Sequence, residues 1–405
     1  MSNKKRKRGG TKVSVQSLIG LLPESLLEEI GQAMGVDKWV KKLPGRYLFK
    51  LIVFSLLNSE RLSLRLMEDN FQDPLFRVLA PALAADKIAW TGIRDRLIHI
   101  DSRYFENLFE EVYRQSSELY GTEKLATYHI KRYDSTMIAT FSHLLEGMKV
   151  GNTSKGKTQV KMSTAFSDDF LIQMEFYNDQ SHLSEERALK EVIQSFSTQT
   201  KDSIHVFDNG LKSRKTFAEF DKSQTLFVTK LKANARYEVQ APFWQDDGWQ
   251  DNADLEFIQD SIVKLYGNCR DIIDTNFRLI QFRTKKGGHI LNFLTNVWDI
   301  SALQIAQIYR SRWDIEVLFR FLKQEMNLTH FVCNQINAIK VMLYCTLITA
   351  MLILIYKKQN GLQSYKKAKI RFFKELLYTI LLEALDHPDE IIRLKQSLKD
   401  FFQRE

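Results

Sequence analysis

Between residue 13 and about 120, apolar residues recur at spacings of three and four through PESLLEEIGQAM, RYLFKLIVFSLLN, SLRLMEDNF and Ser102–Tyr120, with almost no alternation. That period belongs to helices with one buried face, so the pattern predicts a small helical domain over 13–122. From Leu125 the texture changes to period-two and continuous apolar runs, YHIKRYDSTMIAT, QVKMSTAFS and LIQMEFYN, which predict three strands. A helical stretch SEERALKEVIQSF, a strand IHVFD, a short helix from Ser213 to Phe220 and a strand TLFVTKL follow. This is the succession of an α/β domain built on one mixed sheet. Between about Ala233 and Gly288, short β-like pieces (YEVQAPFW, SIVKLYG, FRLIQFR) separated by Asp, Asn and Gly predict a β-rich insertion. HILNFLTN is a strand again, Ser301 can cap a helix running past Lys323, and the remainder to Glu405 reads as helical. The expected organisation is a flexible basic arm over 1–12, a helical DNA-binding domain over 13–122, an α/β domain over 123–330 interrupted at about 233–288, and a helical C-terminal region over 331–405 that could serve dimerisation.

Composition narrows the class. With 44% apolar and 26% charged residues the 405-residue chain can bury a sizeable core, which excludes disordered and fibrous proteins. Cys269, Cys333 and Cys345 show neither CxxC nor Cys/His ligand spacing, which argues against zinc and disulfides and for a reducing, cytoplasmic compartment. The net charge is +9, and Lys4, Lys5, Arg6, Lys7, Arg8 and Lys12 supply six of those charges. A cationic arm ahead of a folded body suits nucleic acid, because each phosphate neutralised releases counterions; a solubilising tail or localisation signal is the plainer alternative. Lys41, Lys42, Arg46, Lys50, Arg61, Arg65, Arg94 and Arg96, scattered through the helical segment, either face DNA or form solvated helix surface. No secretory signal is expected. The apolar run Val341–Tyr356 falls short of the roughly 20 residues of a bilayer span and predicts a buried core helix, with no membrane partner.

The candidate chemistry centres on IYRSRWDIEVLFRFLKQ, residues 308–324. At about 100° per residue on one continuous helix, Tyr309, Arg312, Glu316 and Lys323 share a stripe roughly 60° wide, with Arg320 beside it and apolar residues in most other directions. Such a stripe either presents its charges to a ligand or simply pairs Arg312 with Glu316 and Glu316 with Arg320. Asp134 and Asp208 end strand patterns in KRYDSTMI and IHVFDNG. Carboxylates at the ends of neighbouring strands, joined by a third from a later helix, can converge into an all-oxygen site for magnesium or manganese, with two ions serving phosphodiester displacement. Asp at a strand end is also a routine turn residue.

The spacing Tyr309, two residues, Arg312, three residues, Glu316, six residues, Lys323 resembles the YREK signature of the IS-four-like family of DDE transposases of bacterial insertion sequences. The resemblance covers about residues 125–330 and implies an RNase H-like catalytic domain with a β-rich insertion, flanked by helical N- and C-terminal regions. It implies that Asp134, Asp208 and Glu316 are catalytic and bind Mg2+ or Mn2+, and that Tyr309, Arg312 and Lys323 contact DNA. The family often follows its second Asp with Arg-Gly and an aromatic, where this chain has Asn209, Gly210 and Leu211; Asp202 is a poorer substitute for Asp208 because it precedes the strand. Trp298, Trp244 and Trp249 are candidates for stacking on a flipped base, or packed aromatics. The expected function is cut-and-paste transposition: binding of terminal inverted repeats, metal-dependent cleavage and transfer to target DNA, by a homodimer in the DNA complex, in a bacterial, nucleoid-associated setting. The alternatives are a metal nuclease of the same fold without strand transfer and a catalytically inactive, transposase-derived DNA-binding protein.

Overall fold

The computed structural model describes residues 12–83, 85–120, 128–141, 147–149, 158–167, 170–197, 202–243, 254–267 and 271–402, which form two compact units. The arm residues Lys4, Lys5, Arg6, Lys7 and Arg8, together with Trp244, Trp249 and Cys269, lie outside the described residues. In chain order the helical unit begins with α1 (Val15–Ile19), α2 (Glu24–Ala33), α3 (Gly45–Asn58), α4 (Leu64–Phe71), α5 (Pro74–Leu79), α6 (Trp90–His99) and α7 (Arg103–Tyr120). Ser14, Ser63 and Asp73 cap α1, α4 and α5 by accepting backbone N–H groups of Ser17, Leu66 and Leu75, which the first helical turn leaves without partners.

The second unit is built on β1 (His129–Phe141), β2 (Met148–Lys149), β3 (Thr158–Ser167), β4 (Phe170–Tyr177), α8 (Glu185–Ser197), β5 (Ser203–Phe207), α9 (Arg214–Lys222), β6 (Leu226–Leu231), β7 (Tyr237–Pro242), β8 (Leu255–Tyr266), β9 (Ile272–Thr284), β10 (Ile290–Thr295) and α10 (Ala302–Ser311). Helix α11 (Trp313–Glu325) begins in this unit and ends in the helical one. Then α12 (Ile336–Gln359), α13 (Tyr365–Asp386) and α14 (Pro388–Phe402) complete the helical unit.

The N- and C-terminal helical segments, expected as separate domains, are therefore one body. Its centre is α12, apolar on every side and buried from Val341 to Tyr356, which packs on α1, α3, α6, α7 and α13. At 24 residues α12 is longer than the apolar run predicts, and by length and composition it could cross a membrane; here it is the core of the helical unit. Asn337 donates to the carbonyls of Leu97, Ile98 and Ile100, and Glu375 of α13 accepts the Val15 N–H, so contacts more than 200 residues apart in sequence close the unit.

The sheet of the second unit runs β4-β3-β1-β5-β6 and continues through β10, β9, β8 and β7, with β2 on the outer edge of β3. β1, β5 and β6 pair in parallel; β3 pairs antiparallel with β4, and β6 with β10. β5 shows the uniform burial of a parallel strand covered on both faces. Its Ile204 and Val206 join one core with Ile305 and Ile308 of α10, while Phe207 joins another with Leu189, Val192 and Ile193 of α8 and Phe217 and Phe220 of α9. This is a mixed, RNase H-like α/β sheet. The β-rich insertion differs from expectation in one respect: its strands are long, and β9 pairs with β10 from Arg278 to Arg283, so the insertion extends the central sheet. Arg278, fully buried, pins this junction by pairing with Asp260 at 2.6 Å and donating to the Ile300 carbonyl.

Candidate active site

The end of β5 is fixed from behind. Phe207 packs against Phe217, Phe220 and Phe227 at ring separations of 6.0–6.4 Å, and its carbonyl accepts the Thr229 hydroxyl at 3.1 Å. Asp208 is the next residue and is exposed. Beside β5, the parallel register pairs Arg132 with Val206, so continuing β1 by two residues brings Asp134 level with Asp208. Asp134 does not end its strand as expected; it sits within β1, beyond the part paired with β5. Asp202, the possible substitute for Asp208, lies at the opposite, amino end of β5, where its carbonyl accepts the His129 N–H.

The signature residues also depart from one continuous helix. α10 closes at Arg312, and the chain tightens there: Arg312 N–H bonds to Tyr309 O at 3.0 Å and Ile315 N–H to Arg312 O at 3.2 Å, both three-residue spacings. The break places Tyr309 and Arg312 at the end of one helix and Glu316 in the first turn of the next. Tyr309 donates its hydroxyl to Asp208 at 3.0 Å, and Arg312 pairs with Glu316 at 2.7 Å while standing 5.7 Å over the Tyr309 ring. The i,i+4 pair considered from sequence is thus formed, in contact with an aromatic ring that also serves Asp208. Arg132 of β1 locks the break in place through Ser311 Oγ at 2.9 Å. Lys323 lies in the last turn of α11, in the part that belongs to the helical unit.

Burial pushes the Asp134 carboxyl up to about 6; the Ser135 N–H and Arg312 pull it down, while Glu185 and Glu316 push it further up. Those influences place Arg312, Glu185 and Glu316 within electrostatic reach of Asp134. Glu185, which opens α8, went unnoticed in the sequence. Its carboxyl carbon lies 2.7 Å from where a Gly210 side chain would begin, so only glycine leaves it that position. A glycine two residues beyond a strand-end Asp was the available signal, since close approach is what a side chain there would prevent. Behind the site, Tyr133 donates or accepts at His205 Nδ1 over 2.8 Å, and burial, then Lys131, hold that imidazole down to about 3, keeping it neutral.

In donor chemistry the carboxylates suit a hard divalent cation, being all oxygen and set against one largely buried guanidinium. In spacing they do not form a ready-made cage: among the described residues no three acids, histidines or cysteines stand close enough together to hold an ion. Trp298 packs edge-on against Phe243 at 5.5 Å, and Phe243 in turn covers Arg278, so this indole is engaged with the insertion.

The class these observations define is that of RNase H-like α/β proteins, here with Arg312 and Glu316 in electrostatic reach of Asp134 beside the carboxyl end of β5. The Transposase DDE domain matches residues 130–352, more than half of the chain, and the chain belongs to that family. It is similar to y4zB of Sinorhizobium fredii, named as a transposase, with 26% identity over 188 residues covering 45% of this chain and 50% of that one. A transposase of insertion sequence element IS5377 from Geobacillus stearothermophilus is 27% identical over 134 residues, 33% of this chain and 34% of its own. The chain thus spans about half the length of the first of these relatives and a third of the second. The fold is also similar to that of a piggyBac transposase solved in a synaptic complex with hairpin DNA, with a TM-score of 0.50, 12% identity, and coverage of 97% of this chain and 86% of that one.

Proposed function

We propose that this chain is a DNA transposase that binds the terminal inverted repeats of an insertion sequence, cleaves the phosphodiester at the element's ends and joins those ends to target DNA, two copies acting on the paired ends. The observation that supports the reading is that Tyr309 and Arg312 of the signature bond to Asp208 and Glu316 at one helix break, with Arg312 and Glu316 within electrostatic reach of Asp134. Asp134, Asp208 and Glu316 would hold Mg2+ or Mn2+, two ions in all. Bound there, the cations would neutralise charge on the attacking and leaving oxygens of an in-line phosphodiester displacement. The residues of the chain have separate tasks. Tyr309 and Arg312 orient Asp208 and Glu316, and Arg312, Lys323 and the Tyr309 hydroxyl supply donors for the DNA backbone beside the cut end. The arm, with Lys4, Lys5, Arg6, Lys7 and Arg8, adds sequence-independent affinity through phosphates.

The test uses the full chain, linear DNA carrying the element's ends, a target plasmid and Mg2+ or Mn2+. Cleaved and joined products are expected from the wild type; Asp134→Ala, Asp208→Ala and Glu316→Ala should bind the ends and yield neither. Arg312→Ala and Lys323→Ala should weaken engagement of the cut end. Substantial cleavage by Glu316→Ala would overturn the assignment, and cleavage without joined products would make the chain a nuclease of this fold.

A further inference from the structure

The loop between α2 and α3 presents one aromatic residue to solvent from an unusually fixed base. Trp39 is 88% exposed and holds φ at +67°, a left-handed conformation that a bulky side chain adopts only at a cost. Nothing about the loop is slack enough to make that conformation incidental. Arg96 of α6 donates to the carbonyls of Val36 and Leu43, one on each side of the tip, at 3.1 and 3.0 Å. The same guanidinium reaches Asp37 at 2.7 Å, and Asp37 also accepts the Gly45 N–H at the start of α3. Val36 and Leu43 are buried, so both feet of the loop stand in the core. A turn from Asp37 to Val40, closed by a 3.0 Å backbone hydrogen bond, then turns the indole outward.

What surrounds the indole is cationic. Lys38, Lys41 and Lys42 are all exposed within four residues of it, and Lys38 Nζ stands 6.0 Å from its ring. The one carboxylate of the segment, Asp37, is directed at Arg96 and Gly45. Alongside runs a groove of about 720 Å³ whose walls carry Lys38, Lys42, Arg96 and His99 together with Asp95 and Asp101.

We infer that this loop is a duplex-DNA contact, with Lys38, Lys41 and Lys42 on backbone phosphates and the Trp39 indole set against sugars and bases at a groove edge. The inference rests on the transposase reading above and assigns one site of end binding to a loop whose Lys41 and Lys42 the sequence leaves open between DNA contact and solvated surface. Three lysines within five residues favour a polyanion over a protein surface, since protein interfaces are depleted in lysine. A single indole without exposed aliphatic neighbours gives little apolar area for insertion into a lipid surface. A rigid aromatic among cations matches what nucleic-acid binders use, where stacking adds to counterion release.

The test measures fluorescence anisotropy of a labelled duplex carrying the element's end against the full chain over a salt series, with anionic phospholipid vesicles as a parallel arm. Trp39→Ala should weaken duplex binding on the order of tenfold. Replacing Lys38, Lys41 and Lys42 by Gln should reduce the slope of log K against log salt by about 2 to 3. Trp39→Gly separates function from folding: glycine takes positive φ freely, so the thermal midpoint should hold or rise while duplex affinity falls as in Trp39→Ala. Wild-type duplex affinity and salt slope in these variants would overturn the inference, as would their losing vesicle binding while keeping duplex binding. A wild-type chain that binds no duplex would sink the inference and the transposase reading together, whereas binding lost in the loop variants of a chain that cleaves nothing would sustain the first and remove the second.

Discussion

Replacing Asp134 by Asn should stabilise the metal-free protein at neutral and alkaline pH, and the size of the effect follows from the carboxyl's surroundings. Burial, with Glu185 and Glu316 adding to it, lifts this group from 3.8 to about 6 despite the Ser135 N–H and Arg312. A raised folded-state value means that folding favours the protonated carboxyl. Its stabilising contribution is therefore complete below about pH 4, is lost as pH rises through 6, and stays lost above that. Two units at 1.36 kcal/mol each make the ionised group cost about 3 kcal/mol at pH 8, as an upper value. Asn keeps the shape and cannot ionise. In a chelating buffer the change in stability between pH 5 and pH 8, measured by denaturant unfolding, should be smaller in Asp134→Asn than in wild type by about 1.4 kcal/mol, the share of that amount lost as pH rises from 5 through 6. The two proteins share every other titrating group, so the difference between their pH dependences isolates this one. Added Mn2+ should then stabilise the wild type, because an ion bound only by the folded state shifts the equilibrium, and should do little for the variant. If Asp134→Asn were no more stable than wild type at pH 8 without metal, the carboxylate would not be under electrostatic load, and the argument from burial and neighbouring acids would fail.

Asp260→Asn should destabilise the second unit by about 3–5 kcal/mol, seen as a lower thermal midpoint, because it strands the fully buried Arg278 without its partner. Phe207→Ala should cost about 3–5 kcal/mol by emptying the aromatic cluster behind β5, and should reduce cleavage at temperatures where the protein remains folded, since Asp208 follows directly. Gly210→Ala should leave the midpoint within about 2 °C, the obstructing atoms being the end of a flexible Glu185 side chain, yet weaken Mn2+ binding several-fold in a titration followed by electron paramagnetic resonance. Glu185→Gln should weaken it similarly, and the double variant no further than either, as expected of two changes acting on one carboxylate.

Local patterning carried the sequence reading a long way in the second unit. Strands buried on both faces read as continuous apolar runs, so β5 and β6 were visible as IHVF and LFVTKL, and the Asp after the first was visible as a strand end. The spacing of Tyr309, Arg312, Glu316 and Lys323 was equally legible, although its geometry was not. A helix projected at 100° per residue cannot show that Arg312 tightens the turn, because the cause is tertiary: Arg132, from a strand far earlier in the chain, holds Ser311. Asp134 looked like a strand end because the apolar run gives way there, whereas pairing on the other side carries β1 onward. The union of the terminal helices was illegible for the same reason. The hydrogen bonds of Asn337 and Glu375 span intervals that no window of periodicity covers. Trp39 escaped notice because a lone exposed aromatic belongs to no period, and its significance lies in a backbone angle.

The electrostatics of the site explain why its carboxylates are neighbours without forming an ion-binding cage. Arg312 pairs directly with Glu316, offsets charge at Asp134 and feels Asp208, so one largely buried guanidinium is shared among three acids, with Glu185 a fourth nearby. Each acid finds a different accommodation. Glu316 takes the salt bridge, Asp208 accepts the Tyr309 hydroxyl while remaining exposed, and Asp134, the more enclosed of the two aspartates, bears the deficit as a raised proton affinity. Arg312 Nε meanwhile is buried without a hydrogen-bond partner, so the cation retains a donor that Glu316 does not use. Under the proposed function, an excess of negative charge held in place by packing, and an arginine with spare donor capacity beside it, would be the complementary halves of a site for a divalent cation and a phosphate: the first would supply charge for the ion to neutralise, the second a donor for the anion that arrives with it. Because Arg312 serves both halves, Arg312→Lys should not substitute for it. A lysine could balance the charge of Glu316, but it lacks the planar fork that meets a carboxylate and a second acceptor at once.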